Sequence, residues 1–183
     1  MKCSFNTERL VIGNVTHDQT DLEEISCMMT VSVTKSLPPS WQGEYTPART
    51  KSWSQGCQDD GTTLLGIKMR DTHSLIGLVI LFQVPHKKDT NCIDLRLGYL
   101  LSEQAWGQGF ASEVVGGVVT WCRSCNNGTG NCDDSGVVVK KVIGGVALDN
   151  PASKRVLLKN GFKLVDECQD EHGPDEETFE LIL

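Results

Sequence analysis

One stretch of the sequence, residues 92–148, constrains the topology of everything around it. From Cys92 the residues alternate, with Ile93, Leu95, Leu97 and Tyr99 facing one way and Asp94, Arg96 and Gly98 the other, the period of a β-strand. Leu100 and Leu101 then break the alternation, as a β-bulge, a splay or a plain strand end would. After the loop SEQAWGQG come Phe110 and Ala111, Val114 and Val115, Val118 and Val119, then Cys122, a four-residue repeat that marks one helix face. The valines and the pair Gly116 and Gly117 lower helix propensity, but the periodicity outweighs them. A polar, glycine-rich run over residues 123–136 reads as an exposed loop before a second strand at 137–148. Strand, helix, strand is a crossover unit, so two parallel strands are joined in the right-handed sense. The loop that opens the helix then lies at the carboxyl end of the first strand, where ligands bind in such sheets.

The flanking sequence supplies the rest of the sheet. Residues 9–15 read as a first strand, and 17–33 as helical through Leu22, Ile25, Met28 and Met29. Residues 36–46 combine Pro38, Pro39 and Gly43 with Trp41 and Tyr45, which predicts a loop that presents rings to a pocket. Two apolar runs, 62–69 and 75–82, flank the polar RDTHS and predict an antiparallel hairpin. A last helix has Asn150 as N-cap, Pro151 at its first position, Val156 and Leu157 on its apolar face, and Gly161 just past its end. Closing strands follow at 162–165 and 178–183, separated by an acidic turn. The pattern predicts an α/β (α+β) fold with a mixed sheet. At 183 residues, with neither repeats nor a linker, it predicts a single domain over 1–183.

Charge narrows the function. Seventeen Lys and Arg against 24 Asp and Glu give a net charge of −7, which repels phosphate backbones, argues against nucleic acid and mildly favours a cationic guest. The longest apolar stretch, LIGLVILF, has eight residues where a bilayer span needs about 20, so no membrane insertion is expected. The start, MKCSFNTERL, has no secretory h-region, which predicts an intracellular, cytoplasmic protein whose eight cysteines stay reduced. Oligomeric state is not legible.

The strongest chemical signal is QAWGQGFA, residues 104–111, between strand and helix. Gly107 and Gly109 let the backbone approach a ligand, and the next amides are unpaired helix N-terminal donors that suit a diphosphate without a lysine; a glycine-rich turn is the plainer reading. The chain has no G-x-x-x-x-G-K-[ST] string, which removes the main support for ATP hydrolysis. A dinucleotide fingerprint would need glycine where Ser112 stands, and would open the first strand-helix unit. G-x-S-x-G is absent, and His17, His73, His86 and His172 all lie in polar segments, so a hydrolase is not supported.

These residues resemble the GNAT N-acetyltransferases. Gln104, Gly107 and Gly109 match the family's Q/R-x-x-G-x-G/A acyl-CoA pyrophosphate motif. The wider string GYLLSEQAWGQGFASE is similar to the RimJ/RimL branch, where a GYW-like strand end precedes WGxGxAxE. Asn150, Ser153, Arg155, Lys159, Gly161 and Phe162 fit that branch's N-x-x-S-x-R-x-x-x-K-x-G-F segment. The resemblance covers nearly the whole chain and is specific between Gly98 and Phe162. It implies a mostly antiparallel central sheet with flanking helices, in which one strand bulges and splays from its parallel neighbour. Pantetheine would lie in that gap along Leu100, Leu101 and Ser102, and the pyrophosphate on amides from Gly107 through Gln108, Gly109 and Phe110 to Ala111. An amide near Leu101 would polarise the thioester carbonyl of acetyl-CoA, an oxyanion-type contact. Ser153 would donate to the departing sulfur, and Asn150 would bind the pantetheine amides, although Asn-Pro-x-Ser is also simply a good helix start. The implied reaction is direct attack by a primary amine, either a protein N-terminus or a small amino compound, with no metal.

Where the branch often carries a glutamate base, this chain has Arg96, which cannot accept a proton. Asp94 and Glu44 are the remaining carboxylates, each more simply a surface or salt-bridged group, and Glu103 reads as solvated. The alternative is an acyl-CoA-binding module that no longer transfers the acyl group. Cys122, Cys125 and Cys132 offer one C-x2-C half-site for zinc, without a second.

Overall fold

A computed structural model describes residues 3–16, 18–86, 91–130, 137–165 and 176–183. Eight strands, β1 (Ser4–Asn6), β2 (Leu10–Asn14), β3 (Thr63–Met69), β4 (Leu75–Pro85), β5 (Cys92–Leu101), β6 (Val138–Ala147), β7 (Lys163–Leu164) and β8 (Glu176–Ile182), hydrogen-bond into one sheet. Their order is β1-β2-β3-β4-β5-β6-β8-β7. β5 and β6 run parallel and the other pairs antiparallel, as the crossover reading requires. The fold is therefore mixed α/β with a mostly antiparallel sheet.

The helices are α1 (Gln19–Met28), α2 (Val31–Thr34), α3 (Pro47–Asp59), α4 (Phe110–Asn126) and α5 (Pro151–Lys159), and they cover both faces of the sheet. On one face Leu65, Val79, Leu95 and Leu97 pack with Val114 and Val118 of α4 and Leu157 of α5. On the other, Leu64, Leu78 and Ile80 pack with Ile25, Met28, Val33 and Tyr45. Leu100 belongs to this second core and Leu101 to the first. The two consecutive leucines are thus no bulge: both faces of the sheet are covered there, and β5 keeps unbroken register with β4 from Pro85↔Ile93 to Gly77↔Leu101. The irregularity in β5 lies instead between Ile93 and Asp94, in its pairing with β6.

Several boundaries differ from the sequence reading. The first strand is preceded by β1, and the helical segment from residue 17 divides at Thr30. There the hydroxyl accepts from Val33 N and caps a second helix. α3 has no apolar stripe to announce it, because the residues it buries are Thr50, Ser54 and Cys57. Its local signal was Thr46 as N-cap ahead of Pro47, the grammar that marks α5. α3 also redirects the aromatic loop: Trp53 meets Trp41 at 5.4 Å and Tyr45 at 5.7 Å, both edge-on. Tyr45, only 8% exposed, therefore packs into the core instead of lining a pocket. α4 runs past residue 123 to Asn126, whose side chain exchanges two hydrogen bonds with the backbone of Val139 and ties the helix end to β6. His17, Cys132, His172 and residues 166–175 of the acidic turn lie outside the described residues.

Candidate functional site

The site begins where β5 loses a neighbour. β5 pairs with β4 throughout, but with β6 only from Cys92↔Val138 to Arg96↔Ile143. β6 continues alongside β8 from Lys141↔Ile182 to Ala147↔Glu176. Each of the two parallel strands thus stays with its antiparallel partner, and a wedge opens between them after Arg96. Ser102 N donates to Ile76 O at 2.8 Å, and because antiparallel ladders alternate, Leu101 N–H turns away from β4 toward the wedge. The Leu101 carbonyl is taken by the indole Nε1 of Trp106 at 2.8 Å, while Leu100 sends its side chain to the opposite core.

Just beyond the strand, a 3₁₀ turn over Glu103–Ala105 leads to Gly107 at φ 72° and Gly109 at φ 81°. These are left-handed conformations that glycine adopts without strain. As a result the amides of Gly107, Gln108, Gly109, Phe110 and Ala111 have no backbone acceptor among the described residues, and they gather at the N-terminus of the 17-residue α4. Consecutive free N–H groups at the positive end of a helix form an anion cradle. The Gln108 side chain donates to Gln104 O at 2.6 Å and closes the loop.

Arg9 braces this loop from 99 residues away: its Nη1 donates to Gln108 O at 3.1 Å, and its guanidinium lies 4.1 Å over the Phe110 ring. Glu113 holds Arg9 in turn, accepting from Arg9 Nε at 2.7 Å, Arg9 N at 2.8 Å and the Thr7 hydroxyl at 2.6 Å. Burial pushes the Glu113 carboxyl up, but the bonds from Thr7 and Arg9 more than offset it and leave it below its ordinary value of 4.5.

On the other side of the wedge, Asn150 Oδ1 accepts from Ser153 N at 3.1 Å and caps α5. The Ser153 hydroxyl lies 2.7 Å from the Tyr99 hydroxyl, which joins α5 to β5 where the strands have parted. Burial raises the Tyr99 phenol above its ordinary value, and the bond to Ser153 partly lowers it. A cluster of unpaired backbone amides thus lies next to a strand gap into which the Leu101 N–H points.

The sequence matches the family described as acetyltransferase (GNAT) domain over residues 9–163. The chain is a GNAT acetyltransferase. The uncharacterized N-acetyltransferase YoaA of Bacillus subtilis is 29% identical to it over 162 residues, 87% of this chain and 82% of the relative. A GNAT-family acetyltransferase structure from Bacillus anthracis superposes with a TM-score of 0.70 at 16% identity, covering 98% of each chain. RimL, a ribosomal L7/L12 α-N-protein acetyltransferase solved in complex with coenzyme A, gives 0.70 at 17% identity over 99% of this chain and 98% of its own. The family transfers acetyl groups from acetyl-CoA.

Within this GNAT acetyltransferase the fold places Leu101, the Gln104 to Ala111 loop, Asn150 and Ser153 around one wedge. The carboxylates weighed as bases do not join them freely. Asp94 pairs with His86 at 2.9 Å and with Lys141 at 3.8 Å, and Lys141 also bonds Glu180. Glu44 is exposed, and Glu103 accepts from the Thr30 hydroxyl at 2.8 Å. The zinc half-site is not assembled: Cys122 is fully buried with its thiol pushed up to about 12 by desolvation. Cys125 is disulfide-bonded, contrary to the expectation of reduced thiols.

Arg9, Glu113 and Tyr99 were not singled out by sequence reasoning. Glu113 carried a hint, an acid in the first helical turn, but no spacing rule reports a partner 104 residues away. Glu113→Gln is expected to cost about 2 kcal/mol at pH 7, the scale of a lost charged hydrogen-bond set. Since the folded carboxyl sits below 4.5, that stabilisation is complete above pH 4.5 and is lost as the pH falls through the folded value. Thermal melts of wild type and variant should therefore differ at pH 7 and draw together as the pH falls below 4.5; a gap unchanged with pH would contradict the assignment.

Proposed function

We propose that this chain is an N-acetyltransferase of RimJ/RimL-like type, a single domain over residues 1–183 that acetylates a primary amine by direct attack. The observation that carries the reading is the run of five free amides, Gly107 to Ala111, beside the wedge that ends at Leu101. Acetyl-CoA, when bound, supplies the activated acyl thioester. The five amides would hold its pyrophosphate, and Leu100, Leu101 and Ser102 would line its pantetheine arm. Leu101 N–H, pre-oriented by the ladder with β4, would polarise the acyl carbonyl without reorganisation. Ser153 would donate to sulfur, and the Asn150 amide nitrogen would serve the arm while its oxygen caps α5.

The acceptor would approach from the face where Gly98 and Gly145 are exposed on either side of the wedge. There Arg96 has no hydrogen-bond or ion-pair partner among the described residues, and Asp94 is held by His86 and Lys141. With no free carboxylate at the position of the usual base, an amine that is already partly neutral fits best. That favours an α-amine near pKa 8 over an alkylamine near 10. RimL, an α-N-protein acetyltransferase, is in keeping with this choice. The same lack of a free carboxylate at that position is the argument for the second reading, a non-catalytic acyl-CoA-binding module.

Calorimetry with CoA followed by a thiol-release assay separates the readings. CoA binding with faster turnover of a peptide N-terminus than of a polyamine is the expected result. Binding without turnover of any amine would assign the module, and absence of binding would remove both.

A further inference from the structure

Resting on the acetyltransferase reading, we infer that Tyr99 is a positioning residue for Ser153, donating its phenol proton to Ser153 Oγ so that the serine's own proton is left for the sulfur that departs in the wedge. The direction of the bond follows from counting donors. The two hydroxyl oxygens are 2.7 Å apart, and geometry alone allows either to donate. Tyr99, however, has no other hydrogen-bond partner among the described residues and packs against the first core. If Ser153 donated, the phenol O–H would have no acceptor among the described residues, and the phenol, the more acidic of the two hydroxyls, is the stronger donor. Ser153 is less constrained, because it stands in the first turn of α5 beside the opening, with its backbone N already bonded to Asn150 Oδ1. The favoured network therefore runs Tyr99 to Ser153 to the wedge, and it fixes the serine hydroxyl instead of letting it rotate.

Burial holds the phenol in its protonated form, which suits a permanent donor. No proton leaves Tyr99. Its hydrogen bond orients Ser153 and makes the serine a better donor to negative charge developing on sulfur. Tyrosine here differs from phenylalanine only by the hydroxyl, since its ring already packs against the first core.

The test uses CoA itself as the probe. The thiol of bound CoA is titrated by its thiolate absorbance, loaded protein against free protein, in wild type, Tyr99→Phe, Ser153→Ala and the double variant. Wild type should lower the bound thiol's pKa. Each single variant should weaken its acid dissociation by about tenfold, the scale of one hydrogen bond to a charged group, and the double variant by no more. kcat should follow the same pattern, with KM for acetyl-CoA unchanged. A Tyr99→Phe protein that titrates CoA like wild type while Ser153→Ala does not would overturn the inference alone. So would a Tyr99→Phe effect confined to thermal stability. A wild type that binds no CoA would overturn the acetyltransferase reading and this inference together.

Discussion

Gly107→Glu should abolish measurable CoA binding while leaving the protein folded. Among the described residues nothing lies within 4 Å of a Cβ at Gly107, so the first carbon of the new side chain is accommodated. Its backbone cost is that of an L-residue at φ 72°, about 1–2 kcal/mol. What changes is the charge of the cradle. Five amides with no backbone acceptor among the described residues would face a carboxylate on their own loop, and an incoming diphosphate would meet like charge. At about 4 Å such charges repel by about 4 kcal/mol under the effective dielectric of a protein surface. The expected loss is at least about 100-fold in affinity, read by calorimetry beside a melting curve that shows a folded protein. Gly107→Ala shares the backbone strain without the charge and should bind within about tenfold of wild type. Near-normal CoA affinity in the glutamate variant would move the diphosphate away from this loop.

Gly77→Ala is expected to have the largest effect on stability. A Cβ there would sit 2.4 Å from Leu100 O, 2.6 Å from Leu101 Cδ2 and 3.0 Å from Ile67 Cδ1. The nearest atom is backbone and cannot swing aside, so β4 and β5 must separate at the Gly77↔Leu101 end of their ladder. Overpacking that shifts backbone costs about 3 kcal/mol or more, and here it also tilts the Leu101 amide that lines the wedge. Gly98→Ala is the control on the same strand pair, since its Cβ would meet only Ile80 atoms at 3.6 and 3.9 Å. Urea titration should show a large drop in midpoint for Gly77→Ala and almost none for Gly98→Ala; a Gly77→Ala midpoint near wild type would disprove the close approach.

The crossover around β5 and α4 was legible because both elements repeat apolar residues at their own period. α5 was legible because Asn150, Pro151 and Gly161 punctuate it. The loop could be read because Gly107 and Gly109 stand between a strand and a helix N-terminus, where unpaired amides gather. α3 was not legible, since hydroxyls bury its inner face: Thr50 bonds Ser26 at 2.7 Å, a satisfied polar contact that no hydrophobic pattern can report. The brace from Arg9 and Glu113 and the bond from Tyr99 to Ser153 were hidden for another reason. Each is a contact between distant residues, separated by 104 and 54 positions, whose types are ordinary on any surface. The wedge itself was hinted at by Leu100 and Leu101, although their succession reflects two cores, not a bulge.

That division of neighbours between cores limits how this chain can change over time. Leu100 and Leu101 serve opposite faces, and the same alternation decides which amides of β5 point into the wedge. A substitution at either leucine can be absorbed by repacking on one side. Deleting a single residue within β5 would exchange the two cores and turn the Leu101 amide back toward β4. Drift in residue identity is therefore cheap along this strand, while its length is locked, and insertions and deletions are confined to the connections between elements.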